Sequence, residues 1–297
     1  MTMPTQRPPT IDPQAAQRWQ QMPASPSPWL HEEVARRMEE RLEWIKLKPH
    51  SWAHWEPVRG GLEAHDLLAR RYPESNCFVV EDQVKRAEYA SKKIAIPWWQ
   101  PARWAGKSAR FEVPGDSAVQ MVWANMSLHM AADPQALMAQ WHRALGVDGF
   151  VMFSCMGPDS LTELRDLYAT LGWPAPSHEF TDMHDWGDML VAAGFAEPVM
   201  DMERITLTFE TPQRLLEELR GLGRNLHPDR FSGLRGRQWH AQLTEALQSK
   251  PLELTFEIIY GHAFRPVPRL PMRAETVLSL SQMRESLNQR KTYLPNP

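Results

Sequence analysis

The sequence predicts an α/β protein built on a parallel sheet with helices on both faces. Three short apolar runs, at 77–80, 119–124 and 150–153, have the continuous hydrophobicity of strands that are buried on both sides. Segments with helical spacing or helix caps lie between these runs. Alternation of strands and helices at this spacing is typical of a parallel sheet.

The first third of the chain shows this alternation in its apolar spacing. From Leu30 to Ile45, apolar residues recur at helical intervals with Glu and Arg between them. Gly60-Gly61 opens a second helical stretch, which Pro73 ends. The elements predicted here are a helix over 29–45, a strand over 50–55, a helix between Gly60-Gly61 and Pro73, a strand over 77–80 and a helix over 83–93.

Two later helices begin with the same cap signal, an Asp or Thr followed by Pro at the first helical position. The pairs are Asp133-Pro134 and Thr211-Pro212. The elements predicted after residue 118 are a strand over 119–124, a helix over 133–146, a strand over 150–153, helices near 158–171 and 182–193, a strand over 204–209, two helices within 211–250 and a strand over 252–260. Because two helices stand between two late strands, we expect an insertion over the sheet edge.

The prolines of the chain cluster near its two ends, in residues 4–28 and 266–297. Such segments are expected to be extended and to stay outside a packed core. The sequence therefore predicts a disordered Pro-rich tail over 1–28, a domain over 29–265 with a helical insertion at 211–250, and a C-terminal tail over 266–297.

Composition excludes several classes of function. The net charge of −3 gives no basic field that would hold nucleic acid or an anionic membrane. No apolar run is long enough to span a bilayer, and the first residues lack the apolar core of a signal peptide. Cys77 and Cys155 form neither a disulfide framework nor a metal-binding spacing. We therefore expect a cytoplasmic protein with no nucleic-acid or membrane partner.

Five segments in the second half of the chain carry a distinctive set of motifs. They are VWANMSLH at 122–129, GFVMFSCMGPDSLTELR at 149–165, FTDMHD at 180–185, DMERITLT at 201–208 and YGHA at 260–263. Together these segments resemble one known family, the malonyl-acyl-carrier-protein O-methyltransferases of biotin synthesis, over roughly residues 118–265. A mitochondrial assembly-factor branch with the same fold shares part of these segments.

The resemblance implies a class I methyltransferase fold, a Rossmann-like sheet of seven strands whose last strand is antiparallel. It implies that S-adenosylmethionine lies across the carboxyl ends of the strands and that the partner is an acyl-carrier protein. The reaction it implies is methylation of the free malonyl carboxylate on that carrier.

The turn that would bind the donor departs from the family pattern. That pattern has a strand-ending Asp and then a Gly-x-Gly-x-Gly turn, which here fall at His54, Glu56, Val58 and Gly60. Only Gly60 matches. Glu56 brings a negative charge, Pro57 lacks an N–H and Val58 is β-branched, whereas such a turn needs small residues whose N–H groups approach the ligand. The sequence therefore predicts weak or absent donor binding.

Two functions stay open from the sequence. One is a carboxyl methyltransferase of the biotin-synthesis type, with the same or a shifted substrate and rebuilt donor contacts. The other is a non-catalytic methyltransferase-fold protein that has lost S-adenosylmethionine binding and acts as a binding or regulatory partner.

The candidate cofactor-binding residues follow the first, second and fourth strands of the family pattern. Glu81 or Asp82 corresponds to the acid that holds the ribose, although acids at the start of a helix are also stabilised by its dipole. Asn125 could reach a ligand or could satisfy nearby backbone groups. The candidate set is Gly60, Gly61, Glu81, Asp82 and Asn125.

The candidate docking residues are one histidine and a group of arginines. Arginine can hold a carboxylate with two hydrogen bonds, and carrier proteins are acidic. The alternatives are a packed histidine and a solvated insertion surface. The set is His129, Arg220, Arg224, Arg235 and Arg237.

Two further patterns carry hypotheses. The acids and histidines at 178–188 resemble a metal site, but Thr181 and Asp182 form a natural helix cap, so we expect no metal. Tryptophans cluster near the altered turn and could fill the volume of an adenosine, or could be ordinary core residues. They are Trp52, Trp55, Trp98, Trp99 and Trp104.

Overall fold

A computed structural model describes residues 11–23, 26–94 and 109–268. The chain divides between Pro266 and Val267, and every element described below precedes that division. The strands are β1 (Ser51–Trp55), β2 (Asn76–Val80), β3 (Val119–Ala124), β4 (Leu145–Met156), β5 (Ala196–Thr208) and β6 (Glu253–Phe264).

These strands form one mixed sheet in the order β2-β1-β3-β4-β6-β5. Strands β1 to β4 run parallel to one another, and β6 pairs antiparallel with both β4 and β5. The expectation of an antiparallel last strand is confirmed. The carboxyl ends of β1, β2 and β3 therefore meet at one edge of the sheet.

The expectation of seven strands is wrong for the described residues, which form six. Beyond β2, where a further strand would pair, a single parallel bridge joins Phe78 to Arg110. The Val79 N–H donates to the Arg110 carbonyl at 2.7 Å, and the Arg110 N–H donates to the Cys77 carbonyl at 2.9 Å. The chain bends at Glu112, and within the described residues the pairing beside β2 consists of this bridge.

The helices cover both faces of the sheet, as the alternation of elements predicted. One apolar cluster joins Leu30 to Trp52, and the other joins Trp55 to Trp141 on the opposite face. The helices are α1 (Pro13–Gln21), α2 (Trp29–Glu40), α3 (Pro57–Gly60), α4 (Glu63–Arg71), α5 (Val84–Ile94), α6 (Pro134–Ala144), α7 (Thr162–Thr170), α8 (Met183–Ala192), α9 (Pro212–Leu222) and α10 (Arg237–Gln248).

The predicted cap signals are confirmed. The Asp133 carboxylate accepts the Ala136 N–H at 2.9 Å, and the Thr211 hydroxyl accepts the Arg214 N–H at 3.3 Å. Helices α9 and α10 form the connection between β5 and β6. Within the described ranges, no helix combines the length and apolar character needed to cross a membrane.

The prediction of a disordered tail over residues 1–28 is wrong for residues 11–22. Asp12 caps α1 by accepting the Gln14 N–H at 2.8 Å, and Pro13 occupies its first turn. Ala15 and Ala16 are buried against Leu226. The abundance of proline favoured the prediction of a tail, although this helix begins with the same cap signal as the two later helices.

Candidate functional site

The turn after β1 lies beside the carboxyl ends of β2 and β3 and bonds its own N–H groups within the protein. Its first residue, Glu56, has left-handed backbone with φ of 49°, and α3 follows as a single helical turn. Some of its backbone N–H groups donate to carbonyl oxygens: Glu56 to Val80 at 2.8 Å, Arg59 and Gly60 to Glu56 at 3.3 and 2.9 Å, and Gly61 to Pro57 at 3.0 Å. The others donate to carboxylates: Val58 to Glu81 Oε1 at 2.9 Å, and Leu62 and Glu63 to Glu32 at 2.9 and 3.1 Å. These N–H groups are therefore already satisfied.

Gly60 is held against the end of β3. A Cβ atom at this position would lie 2.3 Å from the Asn125 carbonyl oxygen, so no larger residue fits without backbone movement. The Asn125 amide is fully buried and donates to the carbonyls of His31, at 2.8 Å, and of Gly60. The Ser154 hydroxyl donates to its oxygen at 2.5 Å. The structure thus brings Gly60 and Asn125 together, with the amide engaged by the protein.

Glu81 has both carboxylate oxygens engaged as well. Its Oε1 accepts the Val58 N–H, and its Oε2 accepts Arg86 Nε at 2.9 Å. The side chains of Glu81 and Arg86 are 0% and 1% exposed. Burial raises the pKa of Glu81, although these hydrogen bonds oppose the shift. Asp82, the next residue, is exposed.

The N-terminal helix α1 completes the surroundings of these groups. The Gln20 carbonyl accepts Arg86 Nη1 at 2.6 Å, and its side-chain oxygen accepts Arg86 Nη2 at 3.0 Å and Arg59 Nη1 at 3.2 Å. Arg59 also donates to the Trp19 carbonyl, and its guanidinium carbon lies 3.8 Å from the centre of the Trp19 ring. We call Trp19, Gln20, Arg59, Glu81 and Arg86 the helix-turn network.

Among the described residues, little space remains beside this network. The cavity lined by Glu56, Arg59 and Ser127 encloses about 20 Å³, which is room for about one water molecule. Withdrawal from water raises the pKa of Glu56 to about 7, and the carboxylates of Asp82 and Glu81 act in the same direction.

The donor implied by the resemblance, S-adenosylmethionine, does not fit this arrangement. The N–H groups of the turn are bonded, and both oxygens of Glu81 are occupied by Val58 and Arg86. The cavity next to Glu56 is far smaller than the several hundred Å³ typical of ligand pockets.

A second cavity, of about 240 Å³, lies under the helices that connect β5 to β6. We call it the insertion cavity. Its apolar walls come from α7, α9 and α10 and include Leu164, Leu219 and Leu243. Buried polar atoms in its lining residues lack a partner within the described protein. They are His129 Nδ1, Ser177 Oγ, His178 Nδ1 and Trp239 Nε1.

Two of the histidines that line the insertion cavity, His129 and His178, are buried and have lowered pKa values. His178 Nε2 donates to the His129 carbonyl at 2.8 Å. Burial lowers the pKa of His129 well below its ordinary value and lowers the pKa of His178. His129 is therefore placed as a neutral group that can donate or accept one hydrogen bond in the cavity.

The predicted docking arginines separate into different environments. Arg220 and Arg224 are exposed and line the insertion cavity. Arg235 instead packs among aromatic rings, with its guanidinium carbon 4.5 Å from the ring centre of Phe231 and 4.8 Å from that of Trp239. Arg237 is exposed at the start of α10.

The two described tryptophans of the sequence hypothesis, Trp52 and Trp55, pack in the core of the domain. Trp52 and Trp55 are core residues on opposite faces of the sheet, and Trp55 lies 6.3 Å from Trp141 between ring centres. The alternative of ordinary core packing is thus confirmed for these two. Trp98, Trp99 and Trp104 lie outside the described residues.

Sequence reasoning missed the part played by Trp19, Gln20 and Arg86. The available signal was Asp12-Pro13, which predicts a helix start near these residues.

The cap prediction at Asp182 is confirmed, since its carboxylate accepts the His184 N–H at 2.7 Å. Over the ranges given above, no group of three or more side chains could hold a metal ion.

Comparison with known proteins gives relatives named malonyl-acyl-carrier-protein O-methyltransferases. No protein-family model matches the chain. A malonyl-acyl-carrier-protein O-methyltransferase from Gallionella capsiferriformans is 35% identical over 271 residues, covering 85% of this chain and 89% of that protein. Proteins of the same name from Laribacter hongkongensis and Legionella pneumophila are 35% and 30% identical, covering 81% and 86% of this chain and 84% and 90% of theirs.

Solved structures agree on the fold. The YcgJ protein of Bacillus subtilis superposes with a TM-score of 0.51 at 14% identity, covering 80% of this chain and 99% of that one. A candidate methyltransferase from Bacillus halodurans gives a TM-score of 0.52 at 12% identity, covering 79% and 100%. At such identities these likenesses show the methyltransferase-type fold alone.

Proposed function

This chain belongs to the malonyl-acyl-carrier-protein O-methyltransferase family, and we propose that it recognises malonyl-acyl-carrier protein, the molecule for which its relatives are named. The relatives cover the N-terminal half of the chain as well as the C-terminal half. The proposal concerns the substrate side of the fold, and its support comes from the insertion cavity.

The observation that carries the proposal is the combination of apolar walls and unpartnered polar atoms in that cavity. A malonyl group on a carrier arrives on a long arm that has methylene groups, amides and a thioester. Such an arm needs apolar surface along most of its length and a few hydrogen-bonding groups at defined points. His129 Nδ1 and Ser177 Oγ are buried groups of this kind, and burying them without a partner is costly.

Charge at the cavity supports the same ligand. Arg220 and Arg224 are both exposed there, and the positive charge of Arg220, after the larger effect of burial, lowers the pKa of Arg224. Two neighbouring cations favour an anion between or beside them. An acidic carrier surface, or the phosphate that joins the arm to it, meets that requirement.

Methyl transfer to the malonyl carboxylate is the reaction in the relatives' names and the first activity to assay. The carboxylate is itself the nucleophile, so in-line approach and desolvation would be the main demands on the protein. Binding of the carrier without transfer is the second candidate; the relatives do not favour it, and the observation that raises it is the helix-turn network beside Glu81. Recognition of the carrier is common to both.

The test is a calorimetric titration with malonyl-acyl-carrier protein, with the unloaded carrier for comparison. We expect saturable binding that is tighter for the malonyl form and that weakens at least about tenfold in R220E and R224E, since each replaces an attraction by a repulsion. R214E is the matched control, because Arg214 lies on the same helix as Arg220 but does not line the cavity. Equal weakening in all three variants, or no binding by the natural chain, would exclude the proposal. A methyl-transfer assay on the same carrier separates the two candidates.

The proposed compartment is the cytoplasm. Cys77 and Cys155 are both buried and unpaired. Free thiols are what a reducing compartment maintains.

A further inference from the structure

We infer that this chain does not take up S-adenosylmethionine in the donor site and that helix α1 fills that site from within through Trp19 and Gln20. The inference goes beyond carrier recognition, because the insertion cavity and the donor site are separate places in the fold. The two places are neighbours, since Met130 and Leu222 line both. Binding of the carrier and binding of the donor are separate equilibria, and each is measured in its own titration.

The first step of the inference concerns the backbone of the turn. A donor that lies across the strand ends needs close approach to the turn and free N–H groups. Here Val58 donates to Glu81, Gly60 donates to Glu56, and Pro57 has no N–H. The turn keeps a left-handed residue at its start, but that residue is Glu56 and not a glycine. Its side chain occupies space that a glycine would leave open.

The second step concerns the acid after β2. A ribose requires a carboxylate with free oxygens and access from the site. Each oxygen of Glu81 already accepts one hydrogen bond, from Val58 or from Arg86, and keeps a second lone pair, but the side chain is 0% exposed. A ribose would therefore reach Glu81 only if the groups packed around it moved, and moving Arg86 away would leave a buried guanidinium without its carboxylate, which is strongly unfavourable.

The third step concerns what α1 supplies. Gln20 gives two oxygen atoms to the buried Arg86 and one of them also to Arg59. Trp19 covers the Arg59 guanidinium with its ring. The helix thereby satisfies the donors that the site presents. A ligand in this place would have to displace these bonds before making its own.

The opposite end of α1 is fixed as firmly. The Asp12 carboxylate pairs with Arg230 at 2.5 Å, and the Asp12 N–H donates to the Leu226 carbonyl at 2.9 Å. Arg230 lowers the pKa of Asp12 through this contact. The helix is therefore held at both ends, by the connection between β5 and β6 at one and by the turn at the other.

The test uses the full chain, with S-adenosylmethionine and S-adenosylhomocysteine as the probes in isothermal calorimetry. We expect no saturable heat and no rise in melting temperature with either compound. The same titrations on W19A/Q20A ask whether α1 merely blocks an intact site. We expect no binding there either, because the turn and Glu81 stay as they are.

Saturable binding of either probe at micromolar concentration by the natural chain would overturn the inference. Binding gained only by W19A/Q20A would support the filling of the site by α1 but would overturn the first two steps, because the turn and Glu81 would then form a working site once α1 no longer fills it. Circular dichroism establishes that the variant is folded, and R86K gives a second measurement: it keeps the charge near Glu81, and we expect no donor binding from it. If donor binding is absent while carrier binding fails too, the inference stands and the proposed function falls.

Discussion

Gln20 accepts two hydrogen bonds from Arg86, one through its main-chain carbonyl at 2.6 Å and one through its side chain at 3.0 Å. Arg86 is buried and also donates to Glu81 at 2.9 Å. This relationship ties an N-terminal helix to the acid that follows β2. It places protein atoms where the family resemblance implies a donor.

The side chain of Gln20 should contribute measurably to stability. In Q20A, Arg86 Nη2 and Arg59 Nη1 each lose an acceptor, and hydrogen bonds to charged groups contribute about 1.5–3 kcal/mol each. We expect the free energy of unfolding in urea to fall by about 2 kcal/mol. Q17A is the control on the same helix, since Gln17 is exposed. Equal urea midpoints of unfolding for Q20A and Q17A would show that the hydrogen bonds to Gln20 do not contribute to stability.

Gly60 should tolerate no side chain. In G60A the new Cβ would meet the Asn125 carbonyl oxygen at 2.3 Å, so the turn or the end of β3 must shift. We expect a loss of about 3 kcal/mol in the free energy of unfolding. G115A is the matched control, because a Cβ at Gly115 meets nothing within 4 Å. A G60A melting temperature equal to that of G115A would contradict the close contact.

Glu56 should make stability depend on pH. Its pKa is raised from 4.5 to about 7 in the folded chain, chiefly by burial. Between these values the folded state binds more protons than the unfolded state, so this group's contribution to stability falls as the pH rises from about 4.5 to about 7. E56Q stays neutral, and we expect its melting temperature to exceed that of the natural chain more at about pH 8 than at about pH 5. E210Q, at an exposed position, should give the same difference at both. A constant gain for E56Q would rule out the shift.

Arg235 should stabilise the helices between β5 and β6 through the rings around it. R235A removes a cation that lies 4.5 Å from the Phe231 ring centre and 4.8 Å from that of Trp239, and we expect a loss of about 1 kcal/mol with a change in tryptophan emission. R237A is the control, since Arg237 is exposed on the same segment. If R235A and R237A have the same stability and emission, the ring contacts are not stabilising.

Local signals in the sequence were sufficient for the elements with strong patterns. The apolar run at 119–124 is β3, and Asp133-Pro134 begins α6 as its cap chemistry predicted. The same signal at Asp12-Pro13 begins α1, but the proline-rich surroundings favoured a tail. The seventh strand came from the resemblance and not from apolar spacing. In the described chain, the side of β2 that faces away from β1 pairs only through the bridge at Arg110.

The candidate site was harder to predict because its contacts join distant parts of the chain. Gly60 and Asn125 were named as cofactor residues, and the structure brings them together through a backbone contact that the sequence does not display. The sequence could not show that Arg235 is packed while Arg224 is exposed, because both residues carry the same charge. The aromatic rings around Arg235 come from residues as far apart in the chain as Tyr168 and Trp239. The link from Gln20 to Arg86 spans 66 residues and leaves no local signal.

One measurement addresses the substrate side and the donor side together: the dissociation constant of malonyl-acyl-carrier protein with and without saturating S-adenosylhomocysteine. If the insertion cavity binds the carrier and the helix-turn network fills the donor site, the carrier binds without any donor compound, and its dissociation constant is the same in both titrations. A working donor site next to the cavity would couple the two ligands, and that coupling would appear as a changed constant. A carrier that binds only when S-adenosylhomocysteine is present would contradict the filled donor site.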